Sequence, residues 1–148
     1  MISFKQFINE TYNGKINWVK PNHQQEHDEV HHQLANHDPK HMPDWVHSRL
    51  SELKDKNKFK KAIDNGKAKT LSRNDVKNTG NTGERWSEVE KNSKVRRAAT
   101  LYGKNKSVQK PVYLEHPKTK ERWLVGGHHR STYVSDVLKK PVEAHVIK

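Results

Sequence analysis

The chain contains no cysteine, which excludes disulfide bonds, thiol catalysis and zinc–thiolate sites. It also lacks any apolar run near the roughly 18 residues that cross a bilayer, and its N-terminus lacks the layout of a secretion signal. We therefore expect a soluble protein made in a cytoplasm, with no membrane partner. Apolar residues form only 30% of the 148 residues, below the usual globular share, so any core is small.

Acidic residues are scarce in the second part of the chain. Residues 1–50 hold five Lys or Arg and six Asp or Glu, a net −1, whereas residues 51–148 hold 24 and 11, a net +13. A basic region of this size attracts polyanions. DNA or a nucleotide is therefore the first expected partner, followed by an acidic protein, and the alternative is a solubilising surface.

Composition and hydrophobic spacing divide residues 11–83 into three parts. Residues 11–43 are polar and rich in histidine, which predicts a linker with one short helix around 24–35. Helical spacing of Val46, Leu50 and Leu53 predicts a helix over 44–65 that ends at Gly66. The Gly and Asn density of residues 66–83 is typical of a loop.

The last part of the chain shows alternating strand and helix patterns. A capping box at Ser87–Glu90 predicts a helix to about residue 102. Strands are predicted in PVYLEH, RWLVGG and PVEAHVI, the last with Val142, Ala144 and Val146 on one face, and a helix in HHRSTYVSDVLKK. This order favours an α+β fold in which helices pack on a small mixed sheet. A helical or disordered N-terminal region precedes it.

The stretch WLVGGHHRSTYV places two glycines, two histidines and an arginine where a strand turns into a helix. The first amides of a helix have no internal partners, and they favour phosphate. Gly126 and Gly127 permit close approach, while His129 and Arg130 supply donors, Arg130 through a bidentate fork. The alternative is a tight turn whose Arg130 pairs with a nearby carboxylate.

The same turn, with the following VSDVLKKPVEAHVI, resembles the ParB/sulfiredoxin-like fold. The resemblance covers roughly residues 84–148 and implies that Gly127, His129 and Arg130 bind the phosphates of a nucleoside triphosphate. His128 stands where sulfiredoxins carry a catalytic cysteine, which rules out that chemistry. No helix-turn-helix follows, so the resemblance implies a minimal ParB-like domain of phages or plasmids, similar to proteins known as ParB-like nucleases. On the preceding helix, Lys94 and Arg97 are further phosphate candidates.

Catalysis would need a carboxylate that holds a divalent metal or accepts a proton. Glu115 follows one predicted strand and Glu121 precedes the next, and with His128 they are the candidate catalytic residues. His23, His27 and His31 follow helical i, i+4, i+8 spacing and could chelate a metal. We favour the alternative of a solvated linker for the histidines. The sequence leaves open whether the protein is an enzyme.

The first ten residues, MISFKQFINE, resemble the capsid-targeting peptides of internal head proteins in large tailed phages. The resemblance implies cleavage between Glu10 and Thr11, a prohead core and protease as partners, and a protein located in the virion interior and then the host cytoplasm. The alternative is a short helix that docks on the body of the protein. The expected segments are therefore 1–10, 11–43, 44–83 and 84–148.

Together these features predict a basic phage protein, packaged in the head, that binds nucleotide or nucleic-acid phosphate through the GGHHR turn and could cleave DNA. The alternative is a non-catalytic inhibitor of a host defence or nucleic-acid enzyme. An enzyme should require metal and Arg130, whereas an inhibitor should tolerate the loss of Arg130 and bind a stoichiometric partner.

Overall fold

The computed structural model describes residues 16–36, 41–81, 107–132, 134–135 and 139–148. Predictions that concern Glu10, Thr11, Lys94, Arg97 and the helix expected after Ser87 lie outside this part of the chain. The described elements, in chain order, are β1 (Asn17–Val19), α1 (His23–Asn36), α2 (Asp44–Leu53), α3 (Lys56–Asn65), β2 (Lys67–Leu71), α4 (Arg73–Lys77), β3 (Ser107–Gln109), β4 (Val112–Glu115), β5 (Arg122–Gly126), α5 (His128–Thr132) and β6 (Val142–Ile147). None of the described helices is long and apolar enough to cross a membrane.

The main sheet has four strands in the order β2-β6-β4-β5. β6 runs antiparallel to β2 and parallel to β4, and β4 runs antiparallel to β5. A separate parallel pair is formed by β1 and β3. The predicted α+β class and the small mixed sheet are therefore confirmed, and the three strands predicted in the last part of the chain are present.

The core lies between helices α1–α3 and one face of the main sheet. β4 is buried along its whole length, and β5 and β6 are buried almost throughout. Each fully buried leucine or valine stabilises the fold by about 1.5–3 kcal/mol. The buried cluster consists of Val30, Met42, Val46, Leu50, Leu53, Phe59, Ile63, Val112, Leu114, Trp123, Val125 and Ile147.

The helix predicted over 44–65 is two helices, so that prediction was wrong in its continuity. Asp55 interrupts it with an extended backbone, and its side chain accepts hydrogen bonds from the amides of Asn57 and Lys58. This satisfies two of the first amides of α3, as an N-cap residue does. The break therefore has a local cause that the apolar spacing across it conceals.

The loop predicted over 66–83 is also a correction, because these residues contain β2 and α4. Only Leu71 is buried in β2, so the strand carries no alternating pattern and is ordered by its hydrogen bonds to β6. A capping box between Ser72 and Asp75 begins α4. Gly66 does end the preceding helix, as its sequence position predicts.

Part of the histidine-rich linker expected over 11–43 belongs to the packed core. The short helix predicted around 24–35 is present as α1, but it packs on β5 and on the other helices. Val30 is fully buried in the core, and the polar Glu26 and Gln33 are buried beside it. These three residues follow i, i+4, i+7 spacing and therefore form the inner face of the helix.

Candidate phosphate site at the Gly126–Arg130 turn

The predicted change from strand to helix occurs within the GGHHR stretch. β5 ends at Gly126, and α5 begins at His128. Gly127, between them, has a φ of +88°, a left-handed conformation that favours glycine. A Cβ there would also lie 2.8 Å from Pro111 Cβ and 2.8 Å from Arg130 Nη2. Both the backbone and the close approach of Arg130 therefore require glycine at this position.

The preceding glycine is required for a different reason. A Cβ on Gly126 would overlap Oε2 of Glu26 and lie 2.9 Å from its Cδ. Gly126 is not among the described glycines with a positive φ. A larger residue is therefore excluded by the Glu26 side chain of α1, and not by the backbone conformation. The two glycines thus admit a carboxylate on one side and a guanidinium on the other.

Glu26 and Arg130 form an ion pair at this turn. Arg130 Nη2 donates to Glu26 Oε1 at 3.1 Å. The Glu26 side chain is 3% exposed and that of Arg130 is 28% exposed. Glu26 Oε2 and Arg130 Nε are buried without a hydrogen-bond partner among the described residues. The carboxylate partner that the sequence offered as an alternative for Arg130 is therefore present, and the pair retains unused polar atoms.

Burial raises the pKa of Glu26 above its ordinary value, while the charge and hydrogen bond of Arg130 oppose the rise and the charge of Glu29 adds to it. A carboxyl group with a raised pKa exchanges a proton more readily near neutral pH. Such a perturbed group beside a cationic side chain is typical of functional sites, although structural ion pairs produce it too.

Gln33 holds the end of β5 against α1. Its Nε2 donates to the carbonyl of Leu124 at 3.1 Å and to that of Val125, and its Oε1 accepts from Trp123 Nε1 at 2.8 Å. Both ends of the buried Gln33 amide are therefore hydrogen-bonded, and such a network holds its members rigidly. The strand end, and with it the glycine pair, is thereby fixed relative to Glu26.

Two further contacts position the start of α5. Asn81 Nδ2 donates to the carbonyl of Leu124 at 2.9 Å and lies 3.0 Å from His128 Nε2. On the other side, the Tyr113 hydroxyl hydrogen-bonds to the Ser131 hydroxyl in the interior. Burial raises the pKa of Tyr113 to about 12, with the Ser131 bond opposing the rise. α5 is therefore tied to β4, β5 and the segment that follows α4.

The three predicted catalytic side chains are not brought into one cavity. Glu115 is buried and accepts from Arg122 Nε at 3.1 Å, with Lys69 Nζ at 3.7 Å. Glu121 is exposed and accepts from Trp45 Nε1 at 3.2 Å. His128 instead contacts Asn81 at the turn, so of the three only His128 belongs to the candidate phosphate site.

The predicted histidine metal site does not form among the described residues, where no group of three His, Asp or Glu side chains converges. His23 pairs with Asp64 at 3.2 Å, and His27 Nε2 donates to the carbonyl of Lys54 at 2.8 Å. His31 lies against His27, with 4.6 Å between ring centroids. His23 and His27 therefore attach α1 to its neighbours.

Sequence reasoning missed Glu26, although a signal for it was present. The i, i+4, i+8 spacing of the histidines drew attention to one face of α1, whereas Glu26, Val30 and Gln33 define the buried face by their own i, i+4, i+7 spacing. A glutamate in line with a core valine predicts a paired or hydrogen-bonded carboxylate. The sequence did not show that its partner is Arg130, which lies more than 100 residues away.

No protein-family model, curated protein or solved structure matches the chain. The geometry of the site is therefore the basis for a functional assignment, and the ParB/sulfiredoxin-like resemblance stays a prediction.

Proposed function

We propose that this protein binds the phosphate of a nucleotide or nucleic acid at the Gly126–Arg130 turn. The observation that carries the proposal is the strand–Gly–Gly–helix turn, where a part-exposed Arg130 guanidinium lies directly over Gly127 and is held by a buried carboxylate. The two glycines make room for this ion pair, because the Glu26 carboxylate and the Arg130 guanidinium occupy the space that side chains at positions 126 and 127 would need.

Arg130 supplies the charge for this interaction. A guanidinium can form two parallel hydrogen bonds to a phosphate, and it stays charged at any physiological pH. Its bond to Glu26 occupies Nη2, and part of the side chain remains exposed. Glu26 therefore acts as a positioning residue that fixes the direction of the guanidinium before the ligand arrives, which lowers the cost of ordering it.

Glu26 also predicts a link between binding and protons. A phosphate next to this carboxylate would raise its pKa further, because like charges disfavour the ionised form. Its pKa is already raised by burial. We therefore expect phosphate binding to strengthen as the pH falls through the Glu26 pKa and to be accompanied by proton uptake.

Isothermal titration with a panel of nucleoside triphosphates and inorganic phosphate tests the proposal. Arg130→Lys keeps the charge but removes the fork and should weaken binding about tenfold, a loss of about 1.4 kcal/mol. The double variant Glu26→Gln/Arg130→Gln removes both charges, so no unpaired carboxylate stays buried, and it should abolish binding. Lys118→Ala, an exposed change in the β4–β5 turn, is the control. Binding that is unchanged in both Arg130 variants would refute the proposal.

Incubation with plasmid DNA separates the activities that the sequence leaves open. Cleavage that needs a divalent metal and is lost with Arg130→Lys would support the nuclease alternative. A stoichiometric complex with a host enzyme that survives the Arg130 variants would support the inhibitor alternative. The same samples, with and without nucleoside triphosphates, report nucleotide hydrolysis.

A further inference from the structure

A concentration of positive charge in the described part of the chain lies away from the phosphate turn. A cavity of about 740 Å³ opens between α2, α3 and the sheet strands β2 and β6. We call it the basic groove. Six basic residues line it beside a single carboxylate, that of Glu115, and the six are Arg49, Lys58, Lys61, Lys67, Lys69 and Lys148.

The carboxylate does not cancel this charge. Glu115 is 5% exposed and is already paired with Arg122 and Lys69, so it contributes little field to the opening. Among the described residues that line the groove, four lysines form no ion pair, namely Lys58, Lys61, Lys67 and Lys148. Four cations are therefore available to an anionic ligand, and a concave surface with charge of one sign concentrates the field.

The rest of the lining indicates which kind of anion fits. The uncharged part of the wall is formed by Ala62, Asn65, Ala68 and Val146, and no lining residue is aromatic. Bases stack on aromatic side chains when single strands are bound, and that contact is absent from the groove lining. Repeated cations without stacking platforms suit a ligand whose charge repeats along its backbone, as in a double helix.

We propose that the basic groove binds the phosphate backbone of a double-stranded nucleic acid without reading its sequence. The groove shares no residue with the Gly126–Arg130 turn or with Glu26, so this second site does not depend on the proposed function of the turn. Phosphate contacts position a protein on a duplex, and their contribution falls steeply with salt because counterions are released.

Helix α3 supplies a matched pair of variants. Lys58 and Lys61 line the groove, whereas Lys56 and Lys60 line a different cavity beside His23 and His27. The double variants Lys58→Glu/Lys61→Glu and Lys56→Glu/Lys60→Glu change the net charge equally on the same helix. Fluorescence anisotropy with two unrelated 20-base-pair duplexes and one single strand, over a salt series, measures the effect.

The groove variant should bind both duplexes about tenfold or more weakly near 0.1 M salt, and the slope of log K against log salt should lessen by about two. The Lys56/Lys60 variant should bind within about twofold of the parent, since it removes no phosphate contact. Equal losses in the two variants, no loss in either, or much tighter binding to the single strand would overturn the proposal.

Two further sets of variants distinguish a loss of groove binding from unfolding and from binding at the turn. Lys67→Gln, a single exposed change on β2, should lower duplex affinity in the same direction, and circular dichroism checks that each variant is folded. Glu26→Gln/Arg130→Gln should retain duplex binding in the groove even if it loses nucleotide binding. Loss of duplex binding in that variant, with the groove variant unaffected, would assign the nucleic acid to the turn instead.

Discussion

The glycine before the turn offers the sharpest test of the structure. Gly126→Ala places a Cβ where Glu26 Oε2 lies, and the carboxylate cannot withdraw freely because Glu26 is buried and bonded to Arg130. Overpacking of a buried site costs about 1–3 kcal/mol. The disturbed ion pair adds to this, since a buried charge that loses its partner is strongly destabilising. We expect a loss of about 3 kcal/mol in the free energy of unfolding.

The same substitution should become harmless when Glu26 is truncated first. Glu26→Ala removes the atoms that the new Cβ would meet, and Gly126 is not among the described positive-φ glycines, so alanine fits its backbone. Alanine then gains about 0.4–1 kcal/mol by restricting the unfolded chain. The coupling energy between the two sites should therefore be about 3.5–4 kcal/mol, slightly above the usual range for residues in contact.

Urea unfolding of the four proteins of this cycle gives the coupling directly. It is followed by far-UV circular dichroism and by tryptophan fluorescence, to which the buried Trp123 contributes. The m-values should agree across the four proteins, which shows that the unfolded states are comparable. If Gly126→Ala costs the same with and without Glu26, the carboxylate is not the group that requires glycine, and the described site geometry is wrong.

Three further measurements test the core and the buried titratable groups. Leu53→Ala, at a fully buried position, should cost about 2–5 kcal/mol in urea unfolding; a cost below about 1 kcal/mol would contradict the packing of α2. Because the folded pKa of Tyr113 is raised to about 12, the stability it contributes is present below its ordinary value near pH 10 and is lost as the pH rises through 12. Tyr113→Phe should remove this loss of stability at alkaline pH. If the melting temperature of the variant falls as much as that of the parent between pH 10 and 12, this prediction is wrong. Burial lowers the pKa of His145, against the hydrogen bond to the Ile63 carbonyl, so its contribution is present above about pH 6.5 and declines as the pH falls. His145→Gln should melt with a smaller decrease between pH 7 and 5 than the parent, and parallel curves would exclude this role.

Local sequence was sufficient for the last strands and for the turn. β4 and β5 were predicted from short apolar segments bounded by turn residues, and β6 from the alternation that places Val142, Ala144 and Val146 on one face. The start of α5 was predicted because the apolar spacing changes directly after Gly127. Each of these sequence patterns spans only a few residues. It can therefore be recognised without knowing which distant residues the side chains contact in the folded protein.

Elements that depend on distant partners were missed. β2 has a single buried side chain, so its pattern is that of a loop, and only the ladder with β6, more than 70 residues later, makes it a strand. The division at Asp55 was missed for the opposite reason, since the apolar spacing continues through a local cap.

The sequence by itself determined that a strand gives way to a helix at GGHHR, with glycine, histidine and arginine in the turn, and that positive charge accumulates after residue 50. Tertiary structure alone decided that the carboxylate of Glu26 approaches Gly126 and holds Arg130, and that lysines from α3 and β2 line one groove. The physical reason is that local conformation follows from neighbouring side chains, whereas a site made by residues from different elements exists only once the helices have packed on the sheet.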